Sequence, residues 1–309
     1  MSNITVFFDY EGKWGMPYKS EYDLVKTTND LLSLLRKYKV KAVFFVVGKI
    51  VEENPSVVKK IAAEGHEIAV HGYLHEHLDR LTDKELEIFS DKLSKIESSL
   101  EKLIGKRPVG FRSPYLMAPK FHTPELYKIL KAHGYKWVSN RDLRYSEEIF
   151  RPDRFNLPFM WGKKNILTDI LSPLLSLDII LKDRVNNGKG LKRIAQNIAW
   201  VNNGIKPFKR YGLVEIPLTS PFDCDLLGLP KPKEKTPEAW AKYVTACFVG
   251  GANRSQNLYT LNLHDWIMGS SNRISILDET LKSLSSNKKN RIDTVENFTK
   301  SILKNIKNL

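Results

Sequence analysis

The stretch Glu67-Ile68-Ala69-Val70-His71-Gly72-Tyr73-Leu74-His75 decides how this chain is read. Ile68 to Val70 is a short apolar run that predicts a buried strand delivering His71 at its end. Gly72 loosens the backbone there, and His75 follows four residues after His71. Two imidazoles at that spacing face one point if the backbone coils after the first, as metal ligation requires. The pattern also arises by chance. Its protease version, HExxH, sets a glutamate beside the first histidine as general base. Here that position is Gly72, which argues against a protease of that kind. A zinc site needs a third protein ligand and an open position for water. The best candidates lie at the other early strand end, in Phe7-Phe8-Asp9-Tyr10-Glu11-Gly12.

Working outward, Ile4 to Phe8 and Lys41 to Val47 are rich in β-branched and aromatic residues and predict strands. Between them, Leu24, Leu31, Leu32, Leu34 and Leu35 mark the apolar face of a helix over 22–38. Pro55 opens a second helix at the favoured first position, and Gly65 closes it. Strand, helix, strand, helix, strand therefore alternate before residue 75, which implies parallel strands joined by crossovers. Thr82 and Glu85 form a capping box for a long helix to Ile104. Further strands are expected over 107–115, 135–139, 211–218 and 259–266, and helices over 123–133 and 237–248. Such βα units build a barrel or an open parallel sheet, whose functional residues gather at strand C-termini. Asp9, His71, Arg112 and Asn140 all fall at such ends.

The pattern breaks between Arg141 and Arg210, and we read about 143–210 as an insertion or lid over the active face. Residues from about 275 to 309 read as a basic helical segment of the same single domain, 1–309. The net charge of +14 is by default a solvated basic face. Its sharper alternative is attraction to a phosphate-bearing substrate or an anionic membrane surface. No nucleic-acid-binding module is recognisable, so nucleic acid is not an expected partner. The apolar run 166–181 is interrupted by Asp169, Pro173 and Asp178 and is too short to span a bilayer. Cys224 and Cys247 suit free thiols in a reducing compartment. With no secretory signal pattern at the start, the expected location is the cytoplasm.

Together these residues resemble the polysaccharide deacetylase family, the NodB-homology carbohydrate esterases, in the same linear order from Ile4 to about Trp266. Phe8-Asp9-Tyr10-Glu11-Gly12 matches the acidic first motif, and His71-Gly72-Tyr73-Leu74-His75 the two-histidine motif. Arg112-Ser113-Pro114-Tyr115 matches the motif that walls the groove, and Leu261-Asn262-Leu263-His264 the last motif. The resemblance implies an α/β fold, a distorted (β/α) barrel of about seven parallel strands with an inserted segment. It implies a divalent metal, Zn2+ first, held by Glu11, His71 and His75. Asp9 would be the general base, His264 the general acid, and Arg112 the residue that orients Asp9. Pro114, Tyr115, Trp266 and Trp14 would contact substrate, with the Tyr115 backbone N–H facing the oxyanion. The implied reaction removes an N-acetyl group from an amino sugar, here a nucleotide- or lipid-linked precursor of a surface glycan.

Two departures bear on this. Tyr10 separates the two acids that many members carry side by side, and Val138 follows Trp137 where an aspartate often stands in the fourth motif. Asp142 is a poor substitute for that aspartate. These departures favour a non-catalytic glycan-binding protein on the same fold as one alternative; the resemblance itself leaves another, hydrolysis of a different C–N bond such as a formamide or ureide.

Overall fold

A computed structural model describes residues 2–15, 22–78, 81–116, 124–140, 207–219, 222–228, 236–255, 258–270 and 273–302. The insertion expected at about 143–210 lies outside the described residues except for its last four, and the apolar run 166–181 and Asp142 lie outside them entirely. The described residues form an α/β fold built on a nine-stranded, mostly parallel sheet. The strands are β1 (Ser2–Tyr10), β2 (Ala42–Val46), β3 (Glu67–Val70), β4 (Gly110–Phe111), β5 (Trp137–Val138), β6 (Phe208–Arg210), β7 (Leu213–Glu215), β8 (Leu258–His264) and β9 (Asn290–Ile292). They lie in the order β6-β7-β5-β4-β3-β2-β1-β8. Among the described residues only the β6–β7 pair is antiparallel.

The alternation within β1 sorts its side chains into two cores. Ile4, Val6, Phe8 and Tyr10 point to the helix-covered side, packing with Leu31, Leu35, Val58 and Ile61 of the crossover helices α1 (Leu24–Lys37) and α3 (Pro55–Ala63). Phe7 points the other way, into a smaller cluster with Phe45, Ala69, Trp137, Val214 and Ile216. Two-residue periodicity then puts Asp9 on the same inner side as Phe7. The helix Val295–Ile302 adds Val295 and Phe298 to that inner cluster.

Three local outcomes differ from the sequence reading. A short helix, α2 (Gly48–Glu53), follows β2 directly, where the sequence reading placed no element between the strand to Val47 and the helix opened by Pro55. The C-terminal segment is not helical throughout: β9 interrupts it and pairs in parallel with Ser2–Ile4 of β1. Three residues with little apolar patterning, Asn290 to Ile292, gave no strand signal; the open edge of β1 before its pairing with β2 at Val6 supplies the partner. Strand β8 ends at His264, so Asp265 and Trp266 begin a helical turn, Asp265–Met268. The capping box on α4 (Asp83–Ile104) is present in both directions, between Thr82 and Glu85.

Candidate active site

Parallel pairing sets the strand ends level. Asp9 is in register with His264 of β8 and with Phe45 of β2. Val70 is in register with Phe111, so His71 and Arg112 leave their strands side by side. The structure thus brings Asp9, Glu11, His71, His75, Arg112 and His264 to one mouth of the sheet.

The coil after His71 has a visible cause. Gly72 takes φ +68°, and a Cβ there would come within 2.9 Å of Pro114 Cγ. Glu76 Oε2 accepts from the backbone N–H groups of Tyr73 and Leu74 at 2.8 and 2.7 Å, and His75 adopts φ +58°. The turn folds His75 back under His71, with ring centroids 5.2 Å apart. Their Nε2 atoms lie 3.2 Å (His71) and 3.0 Å (His75) from the same Glu11 Oε1.

That geometry fits a cation. His71 Nδ1 faces the Arg112 carbonyl at 2.9 Å, and a carbonyl only accepts, so the ring proton sits on Nδ1. A neutral His71 then presents a lone pair to a carboxylate oxygen, and two acceptors at such a distance repel unless positive charge lies between them. Among the described residues neither buried nitrogen of His75 has a hydrogen-bond partner. Buried polar atoms without partners are costly in a native protein. Glu11, His71 and His75 are all buried, and two imidazoles with one carboxylate are a donor set of catalytic zinc sites. Burial alone would raise the Glu11 pKa; the His264 charge and the close-lying imidazoles of His71 and His75 outweigh it and hold the carboxyl well below its usual range.

Two residues fix Glu11 from the β8 side. Trp266 is buried, and its Nε1 donates to Glu11 Oε2 at 2.9 Å. Asp265 accepts from Glu11 N at 2.9 Å, from Gly12 N at 3.2 Å, and from the Tyr22 hydroxyl. Burial pushes the Asp265 carboxyl up to about 7, helped by the nearby Glu11 charge.

Asp9 stands apart from this triad. Its Oδ1 accepts from Arg112 Nη1 at 2.5 Å, while Oδ2 lies 4.0 Å from His71 Nε2. Arg112 is wholly buried, its guanidinium over the rings of Phe7 and Phe45 at 4.7 and 4.1 Å. Its other donors reach the Ser139 carbonyl and hydroxyl at 3.2 and 3.0 Å and Asn262 Oδ1 at 3.2 Å. Where the fourth motif lacks its aspartate, Ser139 and Asn262 hold the arginine. Behind them Asn140 N donates to the buried Glu215, and Asn140 Oδ1 accepts from Ser113 N.

His264 is oriented by a residue that sequence reading missed. Asp223 is fully buried and accepts from His264 Nδ1 at 2.6 Å and from His264 N at 2.7 Å. This fixes the ring with Nε2 toward the site, 3.9 Å from Glu11 Oε1. Burial lowers the His264 pKa, but Asp223 and Glu11 override it and push the group well above the usual histidine range. Of the expected substrate contacts, Tyr115 is 58% exposed at the rim, its ring between His75 and His77. Pro114 is buried against Gly72. Trp14 sits in the single turn Gly12–Trp14 and packs against the core.

Residues 8–138 match the family model of polysaccharide deacetylases. A peptidoglycan-N-acetylglucosamine deacetylase of Bacillus cereus is 38% identical over 88 residues, 28% of this chain and 31% of that protein. A peptidoglycan deacetylase of Helicobacter pylori is 34% identical over 133 residues, 43% of this chain and 42% of that one. The chain thus spans less than half the length of these curated relatives. A solved Mycobacterium smegmatis protein described as a polysaccharide deacetylase superposes with a TM-score of 0.62 at 17% identity, covering 99% of this chain and 92% of that one. Over residues 8–138 the chain is thus similar to polysaccharide deacetylases, and the described residues share the fold of the Mycobacterium smegmatis protein.

Proposed function

We propose that the protein is a metal-dependent N-deacetylase acting on an acetylated amino sugar. One observation carries this reading: Glu11 Oε1 sits 3.0 and 3.2 Å from two imidazole nitrogens, while Arg112 holds Asp9 just outside that triad. Glu11, His71 and His75 would hold the cation, Zn2+ first. A cation there supplies Lewis acidity to the acyl carbonyl and lowers the pKa of a water from about 16 to about 7. Asp9 Oδ2, left unpaired with Arg112, takes the proton from the attacking water. Arg112 keeps the carboxylate in place through Oδ1. His264, kept protonated by Asp223, gives its proton to the departing amine nitrogen. Tyr115 flanks the entrance from its exposed position and would contact the sugar.

The substrate form is the finer part of the proposal. The +14 charge favours a phosphate-bearing, nucleotide- or lipid-linked acetamido sugar. The names of the relatives favour a second reading, in which the acetyl group is taken from peptidoglycan. Acetate release from nucleotide-linked sugars, lipid-linked sugars and peptidoglycan fragments, with formamides and ureides beside them, separates these. Cation-dependent acetate release from one amino-sugar class supports the reading. No acetate from any of them, or release that survives chelation, overturns it.

A further inference from the structure

The site contains a second set of ligand atoms that shares Glu11 with the first. Asp9, Glu11 and His264 offer one atom each within 4.8 Å of one another, as do Glu11, His71 and His75. The resemblance of the two histidines strengthens the point. A metal-bound histidine typically passes its other N–H to a carbonyl or carboxylate, which fixes the tautomer and aims the free nitrogen. His71 does this with the Arg112 carbonyl at 2.9 Å, and His264 with the Asp223 carboxylate at 2.6 Å. Both then direct Nε2 toward Glu11 Oε1, at 3.2 and 3.9 Å. Asp9 contributes Oδ2, since Oδ1 is held by Arg112. Trp266 holds Glu11 Oε2, so Oε1 is the oxygen the two seats would share.

We propose that Asp9, Glu11 and His264 form a second, weaker and inhibitory seat for a divalent cation, bridged to the first through Glu11. This rests on the metal seat proposed above. The second ion is weaker because Arg112 and the first ion repel it, and inhibitory because it occupies the base and the acid together. Coordination of Asp9 Oδ2, Glu11 Oε1 and His264 Nε2 releases the Nε2–H proton of His264 to solvent, and no other bond is broken. Carboxylate-bridged pairs of catalytic metals lie about 3.5–4 Å apart, a spacing compatible with two seats sharing one oxygen.

The test is equilibrium binding of Co2+ to the full chain, with acetate release followed over the same concentrations. Two ions per chain are expected, the second at least about tenfold weaker, with release falling as it binds. His264→Ala and Asp9→Asn should each keep the tight ion and lose or weaken the second by about tenfold or more. X-ray absorption of the doubly loaded wild-type protein, which needs no variant, should show a metal–metal distance. One ion per chain at millimolar Co2+, or a second ion that both variants keep, overturns the inhibitory seat and leaves the first standing. No ion bound at all, or a tight ion that His71→Ala keeps, overturns the first seat and this one with it.

Discussion

The two sides of the mouth are held in place by different means. On the side proposed to hold the cation, His71 and His75 come from one turn, four residues apart, and are shaped by Gly72 and Glu76 within that same turn. On the side proposed to donate the proton, His264 is aimed by Asp223, 41 residues earlier, and Glu11 is clamped by Asp265 and Trp266, about 255 residues later. The first arrangement is local and survives as a spacing in the sequence. The second exists only once β8 lies beside β1. The metal side should therefore fail all at once when a ligand is lost, while the proton-donor side should fail gradually and in a pH-dependent way.

The largest expected effect is that of His71→Ala. It should abolish tight cation binding and reduce acetate release by about a thousandfold or more, since Lewis-acid stabilisation is worth several kcal/mol at roughly 1.4 per tenfold. Residual activity close to wild type after thorough chelation would break the contrast. Next comes Asp9→Asn, which keeps an oxygen for Arg112 but removes the base; we expect a loss of about 10²–10⁴-fold in turnover with the tight cation retained. Asp9→Ala should in addition cost about 3–5 kcal/mol in stability, because it leaves the wholly buried Arg112 uncompensated. Denaturant midpoints of the two variants should differ accordingly.

Asp223→Asn sharpens the other side. Losing a carboxylate partner typically costs about 10–100-fold. The sign of its pH effect is fixed by the charge it removes. Asp223 raises the His264 pKa, so without it His264 gives up its proton at lower pH and the alkaline limb of the rate profile moves down. A smaller rate with an unmoved alkaline limb would show that Asp223 only positions the ring. The smallest effect tests the frame: Thr82→Ala removes the cap of α4 and should cost about 1 kcal/mol without changing acetate release.

The same contrast explains what the sequence could and could not reveal. The alternation of β1, β2 and β3 with α1 and α3 was readable because apolar periodicity and Pro55 and Gly65 punctuate it. Asp9, His71 and Arg112 were readable because each stands at a predicted strand end, and Glu11, His75 and His264 because each lies in a short pattern that resembles a family motif. Asp223 was not, since it begins the short helix Asp223–Leu227 and no spacing links it to His264. Ser139 and Asn262 were hidden for a related reason: a small polar residue on a strand or just past its end has no signal until Arg112 arrives between them. Trp266 was expected to meet substrate as an aromatic near a site, whereas its indole N–H points inward to Glu11. The strand β9 escaped because its pairing, not its composition, makes it a strand.

The central claim, that one cation is shared by Glu11, His71 and His75, is tested most directly by a crystal structure of the Zn2+-loaded protein with anomalous scattering at the zinc edge. We expect one strong peak bonded to His71 Nε2, His75 Nε2 and Glu11 Oε1, at about 2.0–2.2 Å from each. A loaded crystal with no peak among these three atoms, or with the tight ion bound elsewhere, would contradict it.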